Sequence, residues 1–194
     1  GADVIVSSTH KTFAGPQGGL ILTNDRLVAE LIGEALSPLL IANHHLGRLP
    51  ALAATFMEWL QCGPAHAASI IANARALGRA LYERGVPLVG AERGFTDTHT
   101  LFLLVDQFGE SRALAERLED CNIITGPSDA PAELGTHGLR IGVQELTRCG
   151  MVEEDAPQIA DCIVDALHNR DLEKVKARAI QLAQRFKRIC FTLA

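Results

Sequence analysis

One segment near the start of the chain combines residue types that can do covalent chemistry. Lys11 follows a short, β-branched apolar run and is flanked by Thr9, His10 and Thr12. Partial desolvation at a strand end favours the neutral amine of a lysine, which can then attack a carbonyl carbon. Such an amine is what a Schiff base with pyridoxal phosphate requires. Spacing alone favours a surface lysine on a polar turn over a cofactor lysine.

A glycine-rich turn follows this lysine. Gly18 and Gly19 carry no side chain, so their backbone N–H groups can approach an anion closely. The hydroxyls of Thr9 and Thr12 could donate hydrogen bonds to a phosphate or a phenolate. These residues would then hold the two polar ends of such a cofactor.

The whole segment strongly resembles the lysine motif of serine hydroxymethyltransferases, pyridoxal-phosphate enzymes that interconvert serine and glycine. The matching residues are Thr9-His10-Lys11-Thr12, Gly15-Pro16 and Gly18-Gly19. The resemblance implies that Lys11 forms the internal aldimine and that Thr9, His10, Gly18 and Gly19 bind the cofactor. It also implies an α/β fold, the C-terminal part of a fold-type-I (aspartate-aminotransferase-like) enzyme, comprising the end of the large domain and a small α+β domain.

A second segment supports the same family. Residues 138–142 (Gly-Leu-Arg-Ile-Gly) and 146–151 resemble the family's late arginine segment and its Thr-x-Arg-Gly successor. The resemblance gives Arg140 the substrate α-carboxylate, which a planar guanidinium grips with two parallel hydrogen bonds. A lone arginine would by default be salt-bridged to Glu145 or Asp129. A third, softer match covers residues 98–106, where His99 is interpreted as structural.

Three stretches depart from the family pattern. Residues 36–45 replace a Gly-Gly-Pro segment whose amides reach the neighbouring subunit's cofactor phosphate, and here the adjacent His44 and His45 could bind that phosphate or simply lie at a surface or interface. The asparagine expected near 125–128, which touches folate in the family, is absent. Val143-Gln144 stands where the family has Thr-Pro.

The sequence therefore predicts a hydroxymethyltransferase-like enzyme that reversibly cleaves the Cα–Cβ bond of β-hydroxy-α-amino acids through an aldimine on Lys11. Its substrates would be small amino acids and aldehydes, with tetrahydrofolate as a possible co-substrate. The departures leave a folate-independent threonine transaldolase or aldolase as an alternative. An alternative of another class is a non-catalytic half-chain that binds a partner or its missing half.

The order of elements predicts two parts. Residues 1–62 hold two strands that pair as an antiparallel hairpin, a helix capped by Asn24, an irregular stretch over 37–50 and a helix over 51–60. Residues 63–194 begin with a long helix that ends at Gly85, followed by strands at 86–89, 101–105, 122–124 and 139–141. Further helices start at Ser111, at 153 and at 172, the last reaching Cys190. The first part is expected to be the remainder of a large cofactor-binding domain.

Composition limits the classes of partner. The 194 residues are 47% hydrophobic and 21% charged, with a net charge of −5. They contain no basic run and no apolar stretch of membrane-spanning length, so nucleic acid and membranes are not expected partners. Five cysteines without CxxC spacing indicate scattered thiols, no metal site and a reducing, cytoplasmic setting. The chain opens without methionine inside an apolar run, so an N-terminal half is expected to be missing. An apolar loop over 36–49 predicts a homodimer or larger assembly.

Overall fold

A computed structural model describes residues 1–43 and 45–193. It divides into two compact units, Gly1–Gly63 with Leu193, and Pro64–Thr192. None of the described helices is both long and apolar enough to cross a membrane.

The first unit opens with two antiparallel strands, β1 (Val4–Ser8) and β2 (Gly19–Thr23), in a register that pairs Val4 with Thr23 and Ser8 with Gly19. The predicted antiparallel pair is confirmed. The apolar, β-branched composition of β1 predicts a buried strand, and this prediction is wrong for the described chain, in which Val6 is 72% exposed. Its β-branched residues satisfy the strand preference, but no other described strand pairs with this two-stranded sheet.

Helix α1 (Arg26–Glu34) begins one residue later than predicted. Asp25, not Asn24, is its N-cap, and the Asp25 carboxylate accepts a hydrogen bond from the Val28 N–H at 3.1 Å. The segment Ala35–Leu40 follows as helical turns interrupted by extended backbone at Ser37 (φ −128°, ψ 121°), where the sequence predicts irregular chain from residue 37.

Helix α2 (Arg48–Glu83) is continuous where two helices separated by Gly63-Pro64 are predicted. Pro64 lacks an N–H and so leaves one carbonyl of the preceding turn without its helical donor. The Trp59 ring lies over Gly63, where a Cβ would come within 2.7 Å of it. The helix ends as predicted at Gly85, which has φ +83° and is followed by a bond from Val86 N–H to Leu81 C=O.

The second unit is built on a three-stranded antiparallel sheet of order β3-β5-β4. Its strands are β3 (Thr100–Leu104), β4 (Gly126–Asp129) and β5 (His137–Gly142). The strand predicted at 122–124 is therefore wrong by four residues, and residues 86–89 contribute only an isolated bridge from Leu88 to Leu103. The helices are α3 (Ser111–Asp120), α4 (Gln144–Arg148), α5 (Ala156–Leu167) and α6 (Leu172–Ala183), with short 3₁₀ turns at Ala91–Arg93 and Glu153–Asp155.

Alternation along β3 and β5 places the core on one side of this sheet. Leu101, Leu103 and Leu139 are fully buried there, and the predicted core residues Leu114 and Leu118 of α3 pack in the same cluster. Two helix ends differ from expectation. Glu110 rather than Ser111 caps α3, through its carboxylate and the N–H groups of the first turn, and α6 ends at Ala183 rather than near Cys190.

Candidate functional site

The lysine motif forms a tight turn between β1 and β2. The Ala14 N–H donates to the Lys11 carbonyl at 2.8 Å, and Ala14 takes a left-handed conformation with φ +58°. The Lys11 side chain is exposed, and it makes no hydrogen bond or ion pair with any residue in 1–43 or 45–193. The predicted partial desolvation of Lys11 is therefore not provided by this chain's own residues. Its amine is available to an incoming carbonyl group.

Thr9 is buried and fastens the turn instead of facing a ligand. Its hydroxyl donates to the Pro16 carbonyl at 2.6 Å, and its N–H donates to the Gly18 carbonyl at 3.1 Å. Only 3% of Thr9 is exposed. The hydroxyl's single proton is engaged by the Pro16 carbonyl in this structure, and a cofactor contact of Thr9 stays a prediction.

The Gly18 amide is also engaged within the turn. It lies 3.3 Å from His10 Nδ1, and the Gly18 carbonyl lies 3.2 Å from the same nitrogen. The tautomer of His10 decides whether Nδ1 accepts from this amide or donates to this carbonyl, and an anion contact of the Gly18 N–H stays a prediction. Gly19 is the first residue of β2, opposite Ser8. His10 and Gly19 are exposed.

Side chains of helix α2 hold the turn that carries Lys11 in place. Trp59 Nε1 donates to the Phe13 carbonyl at 2.7 Å, and the Phe13 ring stacks on Trp59 and meets Phe56 edge-on, with ring centroids 5.6 and 5.1 Å apart. Gly15 lies against Thr55 of the same helix. The position of the Lys11 backbone is thus set by residues that follow it by about forty positions, which the local motif does not reveal.

Of the adjacent histidines at 44 and 45, the structure describes only His45. His44 lies outside the described residues. His45 is exposed, and its carbonyl accepts from the Arg48 N–H at 3.0 Å at the start of α2. A phosphate role for His45 stays a prediction.

Arg140 lies in the second unit, on the face of β5 that points away from the core. Phe102 of β3 is opposite it on one side and Gly126 of β4 on the other. The guanidinium lies across Gly126, where a Cβ would stand 3.6 Å from Nη2. Among the described residues Arg140 has no ion-pair partner, so the default salt bridge to Glu145 or Asp129 is not formed. Its hydrogen-bonding fork is free for a carboxylate.

Glycines flank Arg140 on its face of β5, and neighbouring side chains fill the space above them. Gly138 and Gly142 lie two residues before and after it on the same side of β5. The Phe102 ring covers Gly138, where a Cβ would come within 2.4 Å, and the Gln144 amide covers Gly142. Sequence reasoning missed Phe102 and Gln144, although the period-2 alternation of β3 and β5 could have placed Phe102 beside Arg140.

Two further groups act on this part of the sheet. The Asp106 carboxylate accepts from the N–H groups of Thr136 and His137 at 3.0 to 3.2 Å, which fixes the start of β5. Burial and, to a smaller extent, the positive charge of Arg140 lower the pKa of His99. The pKa of His99 is therefore sensitive to the charge of the Arg140 guanidinium.

No group of three or more His, Cys, Asp or Glu residues in the described part of the chain is arranged to hold a metal ion. All five cysteines are free thiols. Burial raises the pKa of the Cys121 and Cys162 thiols, so the reactive thiolate is disfavoured at both positions.

Comparison with solved structures identifies the class of protein. An L-threonine transaldolase from Pseudomonas fluorescens, solved in its internal aldimine state, matches 99% of this chain with a TM-score of 0.90 and 32% sequence identity, over 45% of its own chain. The α/β architecture is thus the C-terminal part of a fold-type-I pyridoxal-phosphate enzyme.

The sequence comparisons then give the family. The family model for serine hydroxymethyltransferase matches residues 1–163, and the chain belongs to this family. Serine hydroxymethyltransferases from Saccharolobus islandicus and Staphylothermus marinus are 40% and 38% identical to it over 198 and 195 residues, which are 99% and 97% of this chain. The chain spans about half the length of these relatives, 46% and 44% respectively.

Proposed function

We propose that this chain forms part of a pyridoxal-phosphate enzyme that reversibly cleaves the Cα–Cβ bond of β-hydroxy-α-amino acids, as in serine–glycine interconversion. The observation that carries the proposal is that the family match over residues 1–163 includes both Lys11 and Arg140. Both side chains are exposed and unengaged among the described residues. One is a primary amine and the other a carboxylate-binding fork, the two functions that an amino-acid substrate and an aldehyde cofactor require.

Lys11 fits the cofactor as its covalent attachment point. Its primary amine is the group that would hold the cofactor through the aldehyde carbon, and the anchored turn from Thr9 to Gly18 fixes the backbone that carries it. When bound, pyridoxal phosphate supplies an electron sink for the pair released at Cα. The hydroxyl of Thr9 and the amide of Gly18 are engaged within the turn, so most phosphate contacts must come from other residues. His45 and the part of the relatives' length that this chain does not span are the sources we propose.

Arg140 binds the substrate carboxylate through two parallel hydrogen bonds. The guanidinium lies against Gly126 of β4, and the absence of a competing carboxylate among the described residues leaves both edges of the fork usable. By holding the carboxylate, Arg140 fixes the direction in which the Cα–Cβ bond points.

The working enzyme is proposed to be a homodimer or larger, completed by residues outside this chain. Four apolar side chains between α1 and α2 support this, because Leu39, Leu40, Leu46 and Leu49 are between 58% and 78% exposed. A soluble, cytoplasmic enzyme matches the free thiols. Light scattering that gave a monomer mass together with full activity would contradict the assembly.

A reduction experiment tests the role of Lys11. Holoenzyme here means the native protein loaded with pyridoxal phosphate, including any polypeptide that precedes Gly1. Borohydride treatment should fix the cofactor on the peptide containing Lys11, as read by mass spectrometry. Lys11→Arg keeps the charge but should abolish this labelling, whereas the control Lys174→Arg, at an exposed position of α6, should not. Labelling that persists in Lys11→Arg would refute Lys11 as the attachment point of the cofactor. If the wild-type protein also showed no turnover, the non-catalytic alternative would be favoured.

A ligand titration tests Arg140. Lysine provides one compact charge in place of the bidentate fork, so Arg140→Lys should raise the Kd for glycine about 10- to 100-fold. The cofactor's absorbance change on amino-acid binding gives the Kd, and Arg112→Lys on the exposed side of α3 is the matched control. An unchanged Kd would remove Arg140 from the substrate site.

A folate-independent threonine transaldolase is the second candidate. The similarity to the Pseudomonas fluorescens transaldolase and the absence of an asparagine at 125–128 favour it. Cleavage to a stable aldehyde needs no acceptor, whereas serine cleavage must pass on formaldehyde. Serine-to-glycine conversion measured with and without tetrahydrofolate separates the two, because a large folate-dependent rate would exclude the transaldolase.

A further inference from the structure

A second polar group lies on the face beside Arg140, and no contact of the described chain explains it. The Oε1 atom of Gln144 is buried and has no hydrogen-bond partner among residues 1–43 and 45–193. A buried amide oxygen without a donor is unfavourable, so such atoms usually meet a ligand, a water or a protein group.

The glycine at 142 determines where this amide lies. A Cβ on Gly142 would come within 2.5 Å of Gln144 Oε1 and 3.3 Å of its Cδ and Nε2, so the amide occupies the space of the missing side chain. Gly142 and Arg140 are two residues apart on β5 and share a face, which separates their side-chain positions by about 6.8 Å. The amide and the guanidinium are therefore neighbours along one strand face.

The chemistry of a ligand that meets both groups follows from their hydrogen-bonding capacities. The guanidinium only donates and suits a carboxylate, whereas an amide oxygen accepts from an N–H or O–H group. In an amino acid bound through Arg140, the amino group is the one that joins the cofactor. The remaining donor within reach is a hydroxyl on the side chain, which serine and threonine have and glycine lacks.

We propose that Gln144 is a specificity-determining residue whose amide oxygen accepts a hydrogen bond from the side-chain hydroxyl of the bound β-hydroxy amino acid. The proposal rests on the carboxylate-binding function proposed above for Arg140. Gln144 is the first residue of α4, so the helix start holds its backbone while the side chain reaches back over Gly142.

Two ligands of nearly equal shape isolate the hydroxyl. Threonine and 2-aminobutyrate differ by that group alone, and the ratio of their Kd values, measured by the holoenzyme's absorbance change before turnover, reports the contact. Gln144→Met keeps the side-chain length but removes the acceptor, and we expect it to raise the threonine to 2-aminobutyrate ratio about 2- to 13-fold. Gln144→Glu retains an acceptor oxygen and should keep the ratio within about twofold of the wild type. Gln181→Met, at an exposed position of α6, is the control and should leave the ratio unchanged.

The outcomes separate this proposal from the one on which it rests. Equal weakening of threonine and 2-aminobutyrate by Gln144→Met, or an unchanged ratio, would overturn the role of Gln144. If Gln144→Met does not fold, Gln144→Asn is the second variant. Its side chain is one methylene shorter, so the amide oxygen no longer reaches the ligand, and the ratio of the Kd for threonine to that for 2-aminobutyrate should rise in the same way. Failure of the Arg140 assignment shows differently, as an unchanged Kd for glycine in Arg140→Lys.

Discussion

A methyl group added at Gly15 should loosen the lysine turn. A Cβ at this position would stand 2.8 Å from the Thr9 carbonyl oxygen, which is backbone and cannot rotate away, and 3.3 Å from Thr55 Oγ1 of α2. The same carbonyl accepts the Gly15 N–H at 2.7 Å, so relieving the clash also strains that bond. Overpacking of this kind costs about 1–3 kcal/mol, and we expect Gly15→Ala to lower the free energy of unfolding by that amount.

Gly33→Ala is a matched control in the same unit. Gly33 lies within α1, and a Cβ there would meet no atom within 4 Å. Alanine is favoured over glycine in a helix by about 0.8–1 kcal/mol, so this variant should be more stable than the wild type. Gly15→Ala should therefore lower the free energy of unfolding and Gly33→Ala should raise it, so that the two variants differ in stability by about 2–4 kcal/mol.

Denaturant titration followed by tryptophan fluorescence measures this difference. Trp59 is the only tryptophan of the chain and stacks directly on Phe13 of the turn. Gly15→Ala should lower the denaturation midpoint and slow borohydride-dependent labelling of Lys11, because the amine's backbone is displaced. A midpoint for Gly15→Ala equal to that of the wild type would refute the packing argument, whatever the labelling shows.

Three further perturbations test other contacts. Trp59→Phe keeps the ring stack but leaves the Phe13 carbonyl without its donor, and it should lower the free energy of unfolding by about 1–3 kcal/mol in the same denaturation assay. It should also speed amide hydrogen exchange at the turn. The control Phe56→Leu alters the same ring cluster without removing the hydrogen bond and should not speed that exchange. Burial and the charge of Arg140 lower the pKa of His99, so Arg140→Met should raise that pKa in an NMR titration. Because the pKa of His99 is lower in the folded chain than in the unfolded chain, the unfolded chain is protonated first as the pH falls. The contribution of His99 to stability is therefore present above about pH 6.5 and is lost below it, and His99→Gln should remove this pH dependence. Cys121 and Cys162 should resist iodoacetamide in the folded protein and react after denaturation; rapid alkylation of either under native conditions would contradict their burial.

The sequence reveals contiguous family motifs better than it predicts the contacts that surround them. Lys11 and Arg140 are recognisable because their motifs are contiguous, and Gly85 is recognisable because a helix C-terminus needs a left-handed residue. The continuity of α2 is not predictable locally, because its second half is held by burial of Ile70, Leu77 and Leu81 in the second unit's core, which outweighs the lost bond at Pro64.

The contacts of Thr9 and Gly18 within the lysine turn are also not predictable from the local motif. The Thr9 hydroxyl donates to the Pro16 carbonyl, and the Gly18 amide lies 3.3 Å from His10 Nδ1. The strand at Gly126–Asp129 was missed because glycine and proline begin it and its residues have low strand preference. Its place is set by pairing with β5, where Gly126 lies opposite Arg140 and Asp129 opposite His137.

The two chemical groups are therefore supported by separate sets of contacts. The Lys11 turn is held by residues of Gly1–Gly63, and the Arg140 face by strands of Pro64–Thr192. Because the sets share no residue, the stability effects of Gly15→Ala and Gly126→Ala should add within about 0.5 kcal/mol. A double variant whose loss of stability departed from that sum by more than this amount would refute the independence of the two sets of contacts.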